Sequence, residues 1–87
     1  MDAQILWDEI LKEIKEKISG PNFETWFSTV IARNIEGNTL ILLVDDPIQQ
    51  EWLEARYTST VLEAASKVKA SIKHVAFIYR EASPYIN

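Results

Sequence analysis

Histidine and cysteine, the side chains best suited to nucleophilic, acid–base or metal chemistry near neutral pH, are nearly absent from this 87-residue chain. There is one histidine, His74, and no cysteine. A thiolate nucleophile, a disulfide frame and a zinc knuckle are therefore excluded, and no second imidazole exists to share a metal ion. His74 stands between Lys73 and Val75 in an apolar, strand-like run with no serine and aspartate motif around it. It reads as a satisfied or exposed strand histidine rather than a general base. The acid pairs Asp8/Glu9, Glu13/Glu16 and Asp45/Asp46 carry the groups that acid–base or Mg²⁺ chemistry requires. The first two fall on a charged helix face, however, and the third precedes Pro47, where an aspartate caps a helix. The two glycines, Gly20 and Gly37, have turn roles, and no G-x-x-x-x-G-K-[ST] phosphate loop can be written. The expectation is a domain that is not an enzyme, with no cofactor and no metal.

The elements that position these residues belong to one small unit. The chain is 47% hydrophobic and 25% charged, with two Gly and three Pro, the balance of a single globular domain. A chain of this length hides only about 60–65% of its unfolded surface, enough for one core but not for a deep substrate cavity as well. Nine Lys and Arg against thirteen Asp and Glu leave a net charge of −4, which disfavours a phosphate backbone or an anionic membrane as partner. The longest aliphatic run, Leu40 to Val44, is too short to cross a bilayer, and Met1-Asp2-Ala3-Gln4 lacks a signal peptide's basic start. Together with the absence of cysteine, this predicts a cytoplasmic protein that is neither anchored nor exported.

Along the chain, Leu6, Trp7, Ile10, Leu11, Ile14 and Ile18 recur at spacings of three and four and predict an amphipathic first helix over Asp2–Ser19. Gly20-Pro21 stops it. Phe23, Trp26, Phe27 and Val30 then mark a short second helix with an aromatic side. Ile31–Ile35 and Thr39–Val44 read as a hairpin, closed at Glu36-Gly37-Asn38 with positive φ expected at Gly-Asn. Asp45-Asp46-Pro47 opens what reads as the longest helix, to about Lys69, with Leu53, Tyr57, Val61, Ala65 and Val68 along one stripe. Ser71–Arg80 reads as a last strand, apolar on both faces near its centre. The fold class is α+β in the order α-α-β-β-α-β, with helices packed on a small three-stranded sheet. Residues 1–80 form the domain, and 81–87, with Ser83-Pro84, read as the start of a linker.

Nine aromatic residues are more than so small a core needs at its simplest, and aromatics anchor protein contacts. Phe23, Trp26, Tyr57 and Phe77 lie on apolar stripes and read as core. Trp7 and Ile48, near the starts of their elements and at stripe margins, are candidates for contact with a partner.

Four segments in register carry a resemblance: Leu6-Trp7, Phe23-Glu24-Thr25-Trp26-Phe27, Ile35-Glu36-Gly37-Asn38-Thr39-Leu40, and Glu51-Trp52-Leu53-Glu54-Ala55-Arg56-Tyr57. Over about residues 5–80 the chain resembles the N-terminal domain of the bacterial chromosomal replication initiator DnaA. The resemblance implies a KH-like α-α-β-β-α-β fold. It also implies an interaction domain for self-association, for recruitment of the replicative helicase and for docking of initiation regulators. It places weak self-association at Trp7 on the first helix, and a partner face at the starts of the second and third helices, at positions matching Asn22 and Ile48. With their neighbours, the face expected is Asn22, Phe23, Asp46, Ile48 and Gln49. Before the third helix the family often has a Pro-Asn pair and then a Phe, where this chain has Asp45-Asp46-Pro47-Ile48. Asn22 stands where some members carry an acid. Whether the helicase contact persists, and which regulator binds, stay open on these residues.

Other readings remain beside this one. The chain is either an excised domain or a stand-alone relative that competes for the same partners. A KH-type binder of single-stranded nucleic acid shares the element order, but its clamp is a G-x-x-G loop. That loop is missing here, so DNA binding is expected to be weak or absent. A small enzyme is the third class, and it lacks a catalytic constellation.

Overall fold

The computed structural model of the chain describes residues 2–79; the expected linker at 81–87 and the end of the last strand at Arg80 lie outside them. Seven elements follow in order: α1 (Ala3–Lys15), α2 (Gly20–Phe27), β1 (Ile31–Glu36), β2 (Thr39–Val44), α3 (Pro47–Arg56), α4 (Thr58–Val68) and β3 (His74–Tyr79). The class is α+β, as the patterning implied. β2 lies between an antiparallel β1 and a parallel β3, and α3 with α4 makes the crossover that a parallel pair requires.

Each start has a local cause. Asp2, Ser19 and Asp46 are the N-caps of α1, α2 and α3, and each side chain accepts from a backbone N–H of the first turn. Pro21 and Pro47 occupy first-turn positions where no N–H is needed. In the hairpin only Gly37 has a positive φ, of 63°. Asn38 does not, so the expectation of two left-handed residues is corrected: one, at the first central position, is enough to close this turn.

The single long helix expected over Pro47–Lys69 is broken at Tyr57, whose φ of −120° and ψ of 1° leave the helical region. Three causes act together. The hydroxyl of Thr58 donates to the Glu54 carbonyl at 2.9 Å, the run Thr58-Ser59-Thr60 favours such local bonds over the helix, and the Tyr57 ring packs edge-on against Phe27 with centroids 5.5 Å apart.

Leu40, Leu42 and Val44 of β2 are buried under the helices with Leu53, Val61, Ala64 and Ala65. Trp7 belongs to this core. It is completely buried, and its indole N–H donates to the Val30 carbonyl at 3.1 Å. The expectation that Trp7 lies at a stripe margin, free to meet a second copy, is therefore corrected. α1 packs on β1 along one side and on α4 along another, so the arc it buries is wide enough to take in Leu6 and Trp7 together. The exposed apolar residue of the first turns is Ile5.

Candidate docking surface between the second and third helices

The cap of α3 fixes one side of the surface. Oδ1 of Asp46 accepts from the backbone N–H groups of Ile48 (2.7 Å) and Gln49 (3.4 Å). This orients the first turn so that Ile48 projects outward, 70% exposed, while the next residue, Gln49, turns inward and is 7% exposed.

Gln49 then ties α3 to the end of α2. Its Nε2 donates to the Trp26 carbonyl at 2.9 Å and to the Thr29 hydroxyl at 3.2 Å. Its Oε1 accepts from the Asp45 backbone N–H at 3.3 Å. A buried amide satisfied on both sides sets the spacing of the two elements. Gln49 was expected on the partner face; its side chain lies beneath that face and holds it together.

Above Gln49 is a cleft of about 320 Å³, lined by Thr25, Trp26, Thr29, Asp45, Asp46, Ile48 and Gln49. Of the five residues expected here, Asp46, Ile48 and Gln49 line it and Asn22 and Phe23 do not. Phe23 is half-buried and stacks on Phe27, centroids 5.9 Å apart, with the Lys15 ammonium over its ring. Asn22 is exposed and lies one turn up the helical stripe that carries Thr25, Trp26 and Thr29. Thr25 and Thr29 were missed by sequence reasoning. Their signal was the spacing from Asn22, which puts them on its face and not on the face of Phe23.

The wall at Trp26 is reinforced from outside. Trp52 of α3 stacks on it with centroids 5.0 Å apart and an interplanar angle of 14°, and the Arg56 guanidinium lies 4.2 Å from the centre of the Trp52 ring. The cleft thus has an apolar wall and lip at Trp26 and Ile48, with the hydroxyls of Thr25 and Thr29 and the carboxylates of Asp45 and Asp46 around them. A lining of this kind suits an apolar side chain flanked by hydrogen-bond donors. His74 is exposed at the start of β3. Among the described residues, no group of three His, Cys, Asp or Glu is placed to hold a metal ion, and no helix is long and apolar enough to cross a membrane.

Comparison with known proteins agrees with this architecture. The DnaA N-terminal domain family matches residues 4–67. The chain is 34% identical over 79 residues to the chromosomal replication initiator protein DnaA of Nostoc sp., covering 91% of this chain and 17% of that protein. It is 34% identical over 80 residues to that of Gloeobacter violaceus, covering 92% and 18%. It thus spans less than a fifth of the length of these relatives. Among solved structures it is similar to a chain of the HobA–DnaA (domain I–II) complex of Helicobacter pylori, with a TM-score of 0.74 and 18% identity, covering 85% of this chain and 95% of that one.

Proposed function

The chain belongs to the DnaA N-terminal domain family, and from that premise we propose that it is the protein-interaction domain of a bacterial replication initiator. It recruits the replicative helicase and initiation regulators to the origin through the cleft between α2 and α3, and it self-associates weakly. It carries out no reaction of its own. The observation that carries the reading is Ile48: a large apolar side chain, 70% exposed, held at the lip of a cleft by the Asp46 cap. An exposed apolar residue on a rigid helix start beside a pocket has the character of an interface anchor.

The test is Ile48→Asp, measured for helicase and regulator capture by calorimetry beside a melting curve. Because the side chain is solvated in the free domain, the melting temperature should stay within a degree or two. Affinity should fall at least tenfold, since a carboxylate is placed where an apolar contact forms. Binding undisturbed by Ile48→Asp would reject the cleft as the docking surface.

A further inference from the structure

The docking cleft opens where the last strand ends. β1 begins, and β2 and β3 end, at one end of the sheet, because Ile31 pairs with Leu43 and Val44 pairs with Tyr79. Asp45, the residue after Val44, already lines the cleft. Neighbouring strands lie about 4.8 Å apart and successive Cα atoms about 3.8 Å apart, so the chain leaves Tyr79 within about 10 Å of Asp45. From the helical side, Gln50 Nε2 donates to the Phe77 carbonyl at 2.8 Å and holds the start of α3 against the end of β3. The segment that follows Tyr79 therefore sets out beside the cleft.

We propose that residues 80–87 of this chain occupy the cleft in cis, and that a partner has to displace them. The proposal rests on the docking role proposed above and adds its regulation. Charge favours this occupant. Two carboxylates, Asp45 and Asp46, and no cation are among the described residues that line the cleft, and Arg80 follows Tyr79 directly; Glu81 then faces solvent. Reach favours it as well. The six residue steps from Tyr79 to Tyr85 span up to about 20 Å when extended, about twice what is needed, and Ser83-Pro84 is a pair that favours the turn by which the surplus folds back. The third match is in the side chains. Tyr85 and Ile86 are the large apolar residues of the segment. The Tyr85 ring enters against the Trp26 wall and its hydroxyl donates to the Asp46 carboxylate, while Ile86 lies across the lip and covers Ile48, which is 70% exposed without it.

A weak contact is enough. A segment on a short flexible tether is present at its site at an effective concentration of about 1 mM, so an intrinsic affinity of the same order keeps the cleft covered about half the time. The apparent affinity of a partner is then scaled by the fraction of open cleft. The first residues of the expected linker thus set how readily the domain is engaged.

The test uses the full 87-residue chain. It has no cysteine, so Asn87→Cys carries a single nitroxide. In dilute solution the nitroxide should broaden the signals of Thr25, Thr29 and Ile48. When spin-labelled chains without ¹⁵N are mixed with ¹⁵N chains without the spin label, the same signals should stay sharp, which separates contact in cis from contact between copies. Adding Tyr85→Ser and Ile86→Ser should sharpen the cleft signals in the labelled chain without moving the melting temperature. The double variant without the label should bind the replicative helicase about twofold to fivefold more tightly in calorimetry. Broadening at Ile31, Leu43 and Ile78 on the outer face of the sheet, or no broadening in the domain, overturns the cleft as the site of this segment. Broadening in the mixed sample assigns the contact to a second copy and overturns it too. Cleft broadening with helicase affinity unchanged by the double variant overturns the competition. Helicase binding that survives Ile48→Asp removes the docking role instead, and the nitroxide pattern still decides whether residues 80–87 lie in the cleft.

Discussion

The indole N–H of Trp7 and the carbonyl of Val30, 3.1 Å apart, join the first helix to the residue that leads into the first strand. The bond is buried, and the ring that carries it is completely enclosed in the core. Trp7 holds the fold on which every surface of this domain depends.

Trp7→Ala is therefore expected to unfold the chain. Truncating a buried tryptophan costs about 3–5 kcal/mol, and a carbonyl left buried without its donor adds about 1–3 kcal/mol. A domain of this size holds only about 5–15 kcal/mol in total. Near-UV circular dichroism and the cooperative melt should both be lost, and any loss of self-association in this variant reports unfolding. Trp7→Phe keeps most of the volume and should melt lower but cooperatively. A folded Trp7→Ala that fails to self-associate would contradict the burial.

Gln49→Leu separates scaffold from surface at the docking cleft. The substitution leaves the Trp26 carbonyl, the Thr29 hydroxyl and the Asp45 N–H without the partner they share, at a cost of about 2–3 kcal/mol. In a urea titration the midpoint should fall with an unchanged slope. Ile48→Asp, one residue away, should leave the midpoint in place. Equal losses from both would mean that the two side chains are not divided between core and solvent.

The sequence made the periodic parts of this fold legible. Five of the six apolar positions at helical spacing fall inside α1, and Thr39–Val44 was located to the residue because its β-rich run is bounded by the Gly37-Asn38 turn and the Asp45-Asp46-Pro47 helix start. Asp46 and Ile48 were legible as cap and exposed neighbour because capping is local. Trp7 was misread because the width of a buried arc depends on how many elements pack on the helix, which periodicity along one helix does not contain. The break at Tyr57 was hidden for a similar reason, since the stripe Leu53, Tyr57, Val61 continues across it and the contact that stabilises the kink, Phe27, lies 30 residues away. Gln49 was placed on the right surface with the wrong role: its three partners come from two segments that only the folded chain brings together.

The ion pair between Lys17 and Glu63, 2.8 Å apart, ties the turn that follows α1 to α4 and makes a pH-dependent contribution. The hydrogen bond and charge of Lys17 hold the Glu63 carboxyl below its ordinary range, and the same contact with Glu63 holds the Lys17 ammonium above its own. On the acid side the stabilisation is present above the ordinary carboxylate range and is lost as pH falls through the lowered value. On the basic side it is present below the ordinary lysine range and is lost as pH rises through the raised one. Both groups face solvent, so the effect is small and 1 M salt should erase it. Melting curves of Glu63→Gln and wild type should converge at both extremes of pH and differ slightly between them; a gap that persists in acid would assign the effect to packing.

Trp52 supports the cleft without lining it, and its removal should be felt through Trp26. The two indoles stack at 5.0 Å and the Arg56 guanidinium covers the outer ring at 4.2 Å. Stacked aromatic pairs contribute about 0.5–1.5 kcal/mol beyond their buried area, and a cation over an exposed ring about 0.5–1 kcal/mol. Trp52→Ala should therefore destabilise by about 1–2 kcal/mol and remove the near-UV signal of the coupled indoles. Arg56→Ala should cost less than about 1 kcal/mol and leave that signal in place. Trp26 forms the cleft wall, and without the ring behind it the wall can turn, so Trp52→Ala should also weaken partner capture even at temperatures where the domain is fully folded. A near-UV spectrum unchanged by Trp52→Ala would show that the rings are not stacked in solution, and the cleft would then lose the support argued for it.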